Sequence, residues 1–159
     1  MIVRELRESD TASIMKLTEA MHSESPHYSI YPYDPDKVLS LVKVFLTNND
    51  FYCVVAERDS QVVGFMAVAI IQTFFGTDDF VEDLSFYVLP VSRGTSAALR
   101  MVKFAEAWGI SRGAKAIRVG VTTGVRTDSS ESFFLKLGYE ETGKMYTKLI
   151  SPLKLNPTH

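Results

Sequence analysis

The sequence predicts an α/β fold with a mixed, mostly antiparallel sheet, and two observations carry that expectation. In V-E-D-L-S-F-Y-V-L-P-V-S-R-G-T-S-A-A-L-R-M-V-K-F-A-E-A-W, residues 81–108, the apolar period changes from two to about 3.6 near Pro90 and Arg93, so a strand hands over to a helix. Around this stretch, β-prone runs and amphipathic runs follow one another in the order β-α-α-β-β-β-α-β-α-β.

The 159 residues, 46% of them hydrophobic, suffice for one core, and a single domain over 1–150 with a tail over 151–159 is expected. A net charge of −2 with scattered Lys and Arg gives no footprint for nucleic acid. The single Cys53 has no partner for an intrachain disulfide or a thiolate zinc site, and its apolar surroundings predict a buried, inert thiol. The charged, alternating start Ile2–Leu6 contains no long apolar core, and no run approaches the length of a membrane span. A cytoplasmic protein bound to neither membrane nor nucleic acid is therefore expected, and a homodimer is left open.

In chain order, Ile2–Leu6 reads as a strand, and Glu8-Ser9-Asp10 before Ile14, Met15, Leu17 and Met21 as a capped helix. His22 to Asp36 has no period and must be a loop, followed by a helix from about Asp36 with Val38, Leu39, Val42, Phe45 and Leu46 on one side. Phe51–Glu57 and Val62–Thr73 have hairpin spacing across Arg58–Gln61, and Gly64 marks a bulge or a close backbone approach. The chain turns again at 74–79 into the central strand. After the helix that ends near Gly113, Ala116–Val121 reads as a short strand reached by a crossover. A last helix spans Asp128–Leu137, with Asp128 and Glu131 at capping-box spacing, and Glu140–Leu149 reads as a final strand interrupted at Gly143.

Helix N-termini leave about four amide N–H groups unpaired and carry roughly half a positive charge, so a small-residue turn that enters a helix suits an anion. Gly94, Thr95, Ser96, Ala97 and Ala98 are small, and Arg93 adds a fork-shaped cation. This stretch resembles the acyl-coenzyme A motif of the GNAT acetyltransferases, V-x-P-x-x-R-G-x-G-x-G/A, through Val88, Pro90, Arg93, Gly94 and Ala98. Ser96 stands where the family's central Gly is usual, at little cost if its φ is negative and at more if φ must be positive. S-F-F-L-K-L-G-Y is similar to the family's closing signature F-Y-x-x-L-G-F through Phe133, Phe134, Leu137, Gly138 and Tyr139, and the element order matches as well.

The resemblance implies a six- to seven-stranded sheet flanked by about four helices, with splayed central strands. It implies acetyl transfer from acetyl-CoA to an amine acceptor by direct attack, without a metal. The pyrophosphate would sit on the turn from Arg93 to Ala98, and pantetheine would lie along Phe86, Tyr87 and Val88. Thr127 stands where many relatives have an Asn that touches the coenzyme, and helix capping is its other reading. Phe134 stands where the family's usual thiolate-protonating Tyr belongs, so water, Tyr139, Tyr146 or unassisted departure would replace it.

Glu82 and Asp83 are the candidate bases. Strict alternation puts Glu82 on one face with Leu84, Phe86 and Val88, and Asp83 on the other with Ser85 and Tyr87. An acid on an apolar face has a raised pKa, which favours Glu82, although a bulge would exchange the faces. Tyr28, Tyr31 and Tyr33 with Glu24 and Asp34 would make an aromatic, acidic mouth for a cationic amine, with Thr73–Asp79 as a second contributor. His22 and His27 have no partner at metal spacing. A non-catalytic acyl-CoA-binding module is the alternative function.

Overall fold

A computed structural model describes residues 1–151. The expected tail over 151–159 lies, from residue 152 on, outside the described residues. The chain forms two compact units, Met1–Ala20 with Asp34–Val119, and Met21–Tyr33 with the chain from Gly120 onward.

The first unit is built on a five-stranded sheet in the order β1-β2-β3-β4-β5, formed by Ile2–Glu5, Phe51–Arg58, Gln61–Gln72, Asp79–Val88 and Ile117–Arg118. The first four strands pair antiparallel, and β5 joins β4 in parallel. Its helices are most of α1 (Thr11–Glu24), α2 (Pro35–Thr47) and α3 (Ala97–Ser111). A 3-10 turn at Glu8–Asp10 precedes α1, so Asp10 sits just outside the helix it was expected to cap. Asp34 caps α2, its carboxylate accepting from the Asp36 and Lys37 amides, with Pro35 in the first turn.

The core follows from strand alternation. Val54, Met66, Val68 and Val81 on the sheet share the face covered by Met101, Val102 and Ala105 of α3, all 1% exposed or less, while the fully buried Val55, opposite Phe65, lies on the other face. Fully burying side chains of this size contributes on the order of 1.5–3 kcal/mol each. One face of the sheet is the α3 face: Met101 Cε lies 3.3 Å from where a Cβ of Gly64 would be. The Phe45 ring of α2 meets Phe51 edge-on at 5.5 Å on the other face. Gly64 satisfies both readings of the sequence. Val63 is the extra residue of a bulge opposite β2, and a Cβ at Gly64 would lie 2.8 Å from the Tyr87 carbonyl oxygen.

The sheet has fewer strands than the six or seven expected. Ala116–Val121 pairs only over Ile117–Arg118, and Glu140–Leu149 forms no strand. Strand propensity needs a ladder to become a strand, and these segments have little or none. In the second unit, α4 spans Thr127–Lys136 and starts from Arg126 in the left-handed region (φ 47°), with no side-chain cap. The expected Asp128–Glu131 capping box is therefore absent, because both residues lie inside the helix. Leu137 and Gly138 close it with 3-10-type bonds, and Gly138 takes a φ of 89°.

An ion cluster ties β1 to β2 and to the approach to α1. Arg4 holds Asp10 through two hydrogen bonds of 2.7 and 2.9 Å and Glu57 through bonds of 2.8 and 3.1 Å, while Asp10 also accepts from the Arg7 amide. The hydrogen bonds from Arg4 hold the Asp10 carboxyl below the usual carboxylate range, against the opposing effect of burial. A depressed folded-state pKa contributes stability in full above the unfolded value and loses it as pH falls toward the folded one. Denaturant titrations should therefore show wild-type stability declining below about pH 4, and Asp10→Asn should be less stable at pH 7 with a shallower decline. Parallel curves for the two proteins would contradict this assignment.

Candidate functional site

The candidate site is centred on β4. Its ladder with β3 runs from Asp79 to Val88, whereas its ladder with β5 covers only Val81↔Ile117 and Glu82↔Arg118. Beyond Glu82 and Arg118 no further pairing joins the two strands, at the level where the resemblance implies a splayed central pair. Along the β3 ladder, Ala67 faces Ser85 but Val68 faces Asp83, so Leu84 is an extra residue, 48% exposed.

That bulge corrects the expected faces. Opposed residues share a face, so Glu82 (opposite Ala69) joins Ser85 and Tyr87 on the α2 face, while Asp83 (opposite Val68) joins Phe86 and Val88 on the α3 face. Strict alternation grouped these residues the other way, because one inserted residue reverses every side chain beyond it.

The two acids have different surroundings. Glu82 has a side chain 40% exposed, with Oε2 3.9 Å from Nε of Arg118, so it does not lie on the closed apolar face that favoured it as a base. Arg118 itself sits over the Phe80 ring, its Cζ 3.7 Å from the centroid. One carboxylate oxygen of Asp83, Oδ1, is sheltered from solvent.

β4 ends at Val88, and a 3-10 turn over Pro90–Ser92 leads into the small-residue turn and α3. Gly94 takes the one positive φ in the turn (77°), and nothing lies within 4 Å of where its Cβ would be, so the requirement there is conformational. Ser96 has φ −73° and ψ −2°, a conformation any residue adopts. The departure from the family's glycine is therefore strain-free. Thr95 organises the turn: its hydroxyl donates to the Ser92 carbonyl (2.7 Å) and accepts from the Ala97 amide (3.3 Å). Arg100 donates its amide to the Ser96 carbonyl, the first helical bond. The amides of Gly94, Thr95, Ser96 and Ala98 make no hydrogen bond among the described residues, and Gly94, Thr95 and Ser96 are exposed.

Arg93 turns back onto the strand: Nε donates to the Val88 carbonyl at 2.9 Å, and the guanidinium lies 5.5 Å from the centroid of Tyr87. These contacts fix the direction of its fork, and they occupy the carbonyl of one residue expected to hold the pantetheine arm.

The second unit holds the remaining candidates. Thr127 is the first residue of α4, and Phe134 is 8% exposed, with its ring against Phe133 (5.1 Å) and Tyr139 (5.3 Å). Thr127 does not cap α4, since Arg126 occupies the capping position. The acceptor loop is more ordered than its composition suggests. Ser25, 1% exposed, donates its hydroxyl to the Thr123 carbonyl at 2.5 Å and accepts from the Tyr28 amide at 3.2 Å. The Tyr28 hydroxyl bonds Thr122 Oγ1 at 2.9 Å. His22 Nε2 donates to the Tyr31 carbonyl at 2.6 Å, and its ring lies 5.4 Å from that of Tyr33. Tyr31 is 50% exposed and Glu24 half-buried, whereas Asp34 is committed to capping α2. Ser25, Thr122 and Thr123 carry no sequence signal for this clasp, because their pairing spans nearly a hundred residues.

Cys53 is buried, and burial pushes its thiol up to about 12, with Asp10 adding to the shift. Such a thiol is not a nucleophile at neutral pH. Among the described residues no group of three or more His, Cys, Asp or Glu could hold a metal ion, and no helix is long and apolar enough to cross a membrane.

Comparison with known proteins bears on this geometry. The aminoglycoside N-acetyltransferase AAC(6')-Iy, solved with the bisubstrate analogue CoA-S-monomethyl-acetylneamine, superposes with a TM-score of 0.75 at 17% identity, over 95% of this chain and 98% of that one. AAC(6')-IG from Acinetobacter haemolyticus gives 0.70 at 18% identity, over 95% and 100%. A ribosomal-protein-alanine N-acetyltransferase from Brucella melitensis biovar Abortus 2308 gives 0.71 at 13% identity, over 94% and 100%. At such identities the likeness is one of fold. No curated protein matches the chain. A sequence model of the Acetyltransferase (GNAT) family matches residues 12–139, most of the chain, and includes both the turn after β4 and the Phe133–Tyr139 signature. The chain belongs to the GNAT acetyltransferase family.

Proposed function

We propose that the protein is an acyl-CoA-dependent N-acyltransferase that moves acetyl from acetyl-CoA to an amine. The observation that carries this reading is the turn from Arg93 to Ala98, where four amides without an acceptor stand at the start of a fifteen-residue helix, directly after the strand that parts from its neighbour. Amides in that position bind a pyrophosphate without side-chain help. Coenzyme A complexes of structural relatives support the choice of anion.

In the reaction, a neutral amine attacks the thioester carbonyl, the C–N bond forms, the C–S bond breaks and coenzyme A leaves as thiolate. The nitrogen must shed one proton. Glu82 is the proposed acceptor of that proton because its carboxylate is open to solvent, through which the proton can travel, beside the mouth of the splay. Asp83, on the opposite face, is the second candidate. Glu24 and the exposed Tyr31 suit a cationic amine, and the aminoglycoside and protein-alanine substrates in the names of relatives are examples of such acceptors. A non-catalytic acyl-CoA-binding module is the second reading, favoured by the missing hydroxyl at Phe134.

Calorimetry should detect coenzyme A binding to the wild type and its loss or marked weakening in Ser96→Glu, which adds bulk and negative charge among the turn amides. Unchanged affinity would remove the turn from the binding site. With an acceptor in hand, Glu82→Gln should depress turnover on the acidic limb of the pH profile by far more than it weakens coenzyme binding. Full activity at every pH would pass the role to Asp83 or solvent, and zero turnover in the wild type across an amine screen would favour the module. Phe134→Tyr must bury a hydroxyl among rings, so its melting temperature should fall, corresponding to about 1–3 kcal/mol, with no gain in turnover. A gain would identify position 134 as a vacant place for the general acid.

A further inference from the structure

Glu82 and Arg118 are partners at the last pair of the β4–β5 ladder, so their side chains share one face of the sheet. They are 40 and 57% exposed, and Arg118 Nε stands 3.9 Å from Glu82 Oε2, beyond hydrogen-bond reach. Neither side chain makes a hydrogen bond among the described residues. An exposed pair at that separation adds little to stability, so the fold itself does not require these two charges. The guanidinium is nevertheless held in place. It rests on the ring of Phe80, which is 7% exposed and faces the same way as Glu82, two residues back along β4. A seated fork of N–H donors thus stands beside an open carboxylate, and both keep their hydrogen-bonding capacity.

A bare ammonium would meet this carboxylate and this guanidinium together, and the repulsion of the second offsets the attraction of the first. A molecule that carries a carboxylate beside its amine meets opposite charge at both ends, and the guanidinium fork matches a carboxylate in shape. Resting on the N-acyl transfer proposed above, with Glu82 as base, we infer that the acceptor is a free α-amino acid whose nitrogen faces Glu82 and whose carboxylate is bound by Arg118. One carbon separates the two groups of such a molecule, which suits two protein charges on paired residues of adjacent strands. The ammonium gives a first proton to Glu82, which passes it to solvent. The neutral nitrogen then attacks the thioester carbonyl, the C–N bond forms, the C–S bond breaks, the second proton leaves by the same route and coenzyme A departs as thiolate. The N-acetyl product keeps its carboxylate but has lost its positive charge, so it no longer matches Glu82 and is free to leave.

Turnover of acetyl-CoA by the full chain, measured with the protein amino acids supplied both as free acids and as carboxamides, tests this. A carboxamide keeps the amine and the side chain, lacks only the negative charge, and has the less basic nitrogen, so without a carboxylate-binding group it is the better acceptor. The wild type should instead prefer the free acid of at least one amino acid by roughly 10- to 100-fold in kcat/KM. Arg118→Gln should remove that preference, the loss falling on KM for the free acid rather than on kcat, and Arg118→Lys should retain part of it. Carboxamides accepted as well as the acids, or a preference that survives Arg118→Gln, would overturn the inference and leave N-acyl transfer standing. No turnover on any acid or carboxamide would overturn both. If Arg118→Gln does not fold, the wild-type preference and its partial retention in Arg118→Lys decide.

Discussion

The ladder between β3 and β4 is the constraint on which the candidate site depends. It runs the full length of β4, so the strand stays anchored on one side while its bonds to β5 stop at Glu82 and Arg118. A strand held on one side only presents backbone to a ligand without falling out of the sheet. The close approach at Gly64 secures the anchor, since any side chain there would push against the Tyr87 carbonyl and lift the end of β4 that leads to the turn. The buried Val81, at the other end, fixes the strand against α3.

From that anchor the chain reaches the turn with little freedom left. Leu89 donates its amide to the Val63 carbonyl, Pro90 starts a 3-10 turn, Arg93 is bonded back to Val88, and Thr95 bridges Ser92 and Ala97. The amides of Gly94, Thr95, Ser96 and Ala98 are thus held in place before any anion arrives, so binding need not pay again for ordering them. Preorganised donors of this kind explain why small side chains suffice here. They also explain why Ser96 replaces a glycine harmlessly, because the positive φ falls on Gly94 alone within the turn.

Much of this was legible in the sequence, and the rest was hidden for physical reasons. The order of elements, the turn, the family resemblance and the buried thiol all rest on local patterns: a change of period, small residues at a helix start, a cysteine in an apolar run. The grouping of Glu82 and Asp83 was not legible, because the bulge at Leu84 depends on how β3 and β4 align and leaves no local mark. Ala116–Val121 was expected to be longer than the strand it forms, and Glu140–Leu149 was expected to be a strand and forms none, for a related reason: Ile117, Met145 and Tyr146 have strand propensity wherever they are, but a ladder exists only where a partner strand does. The spacing of Asp128 and Glu131 misled because the helix begins at Thr127 from a left-handed Arg126, one residue before the expected cap. Nor could composition show that Ser25 and Tyr28 clasp Thr123 and Thr122, which turns part of the Pro- and Tyr-rich loop into an ordered element.

The central claim is that the turn after β4 receives the anionic part of coenzyme A through its backbone. Amide hydrogen exchange with and without coenzyme A, read at single-residue resolution, tests it most directly. The account predicts that Gly94, Thr95, Ser96 and Ala98 slow on addition of coenzyme A, while the β2–β3 hairpin amides of Asp59 and Ser60 do not change. Protection that appears elsewhere and leaves those four turn amides at their original rates would contradict it.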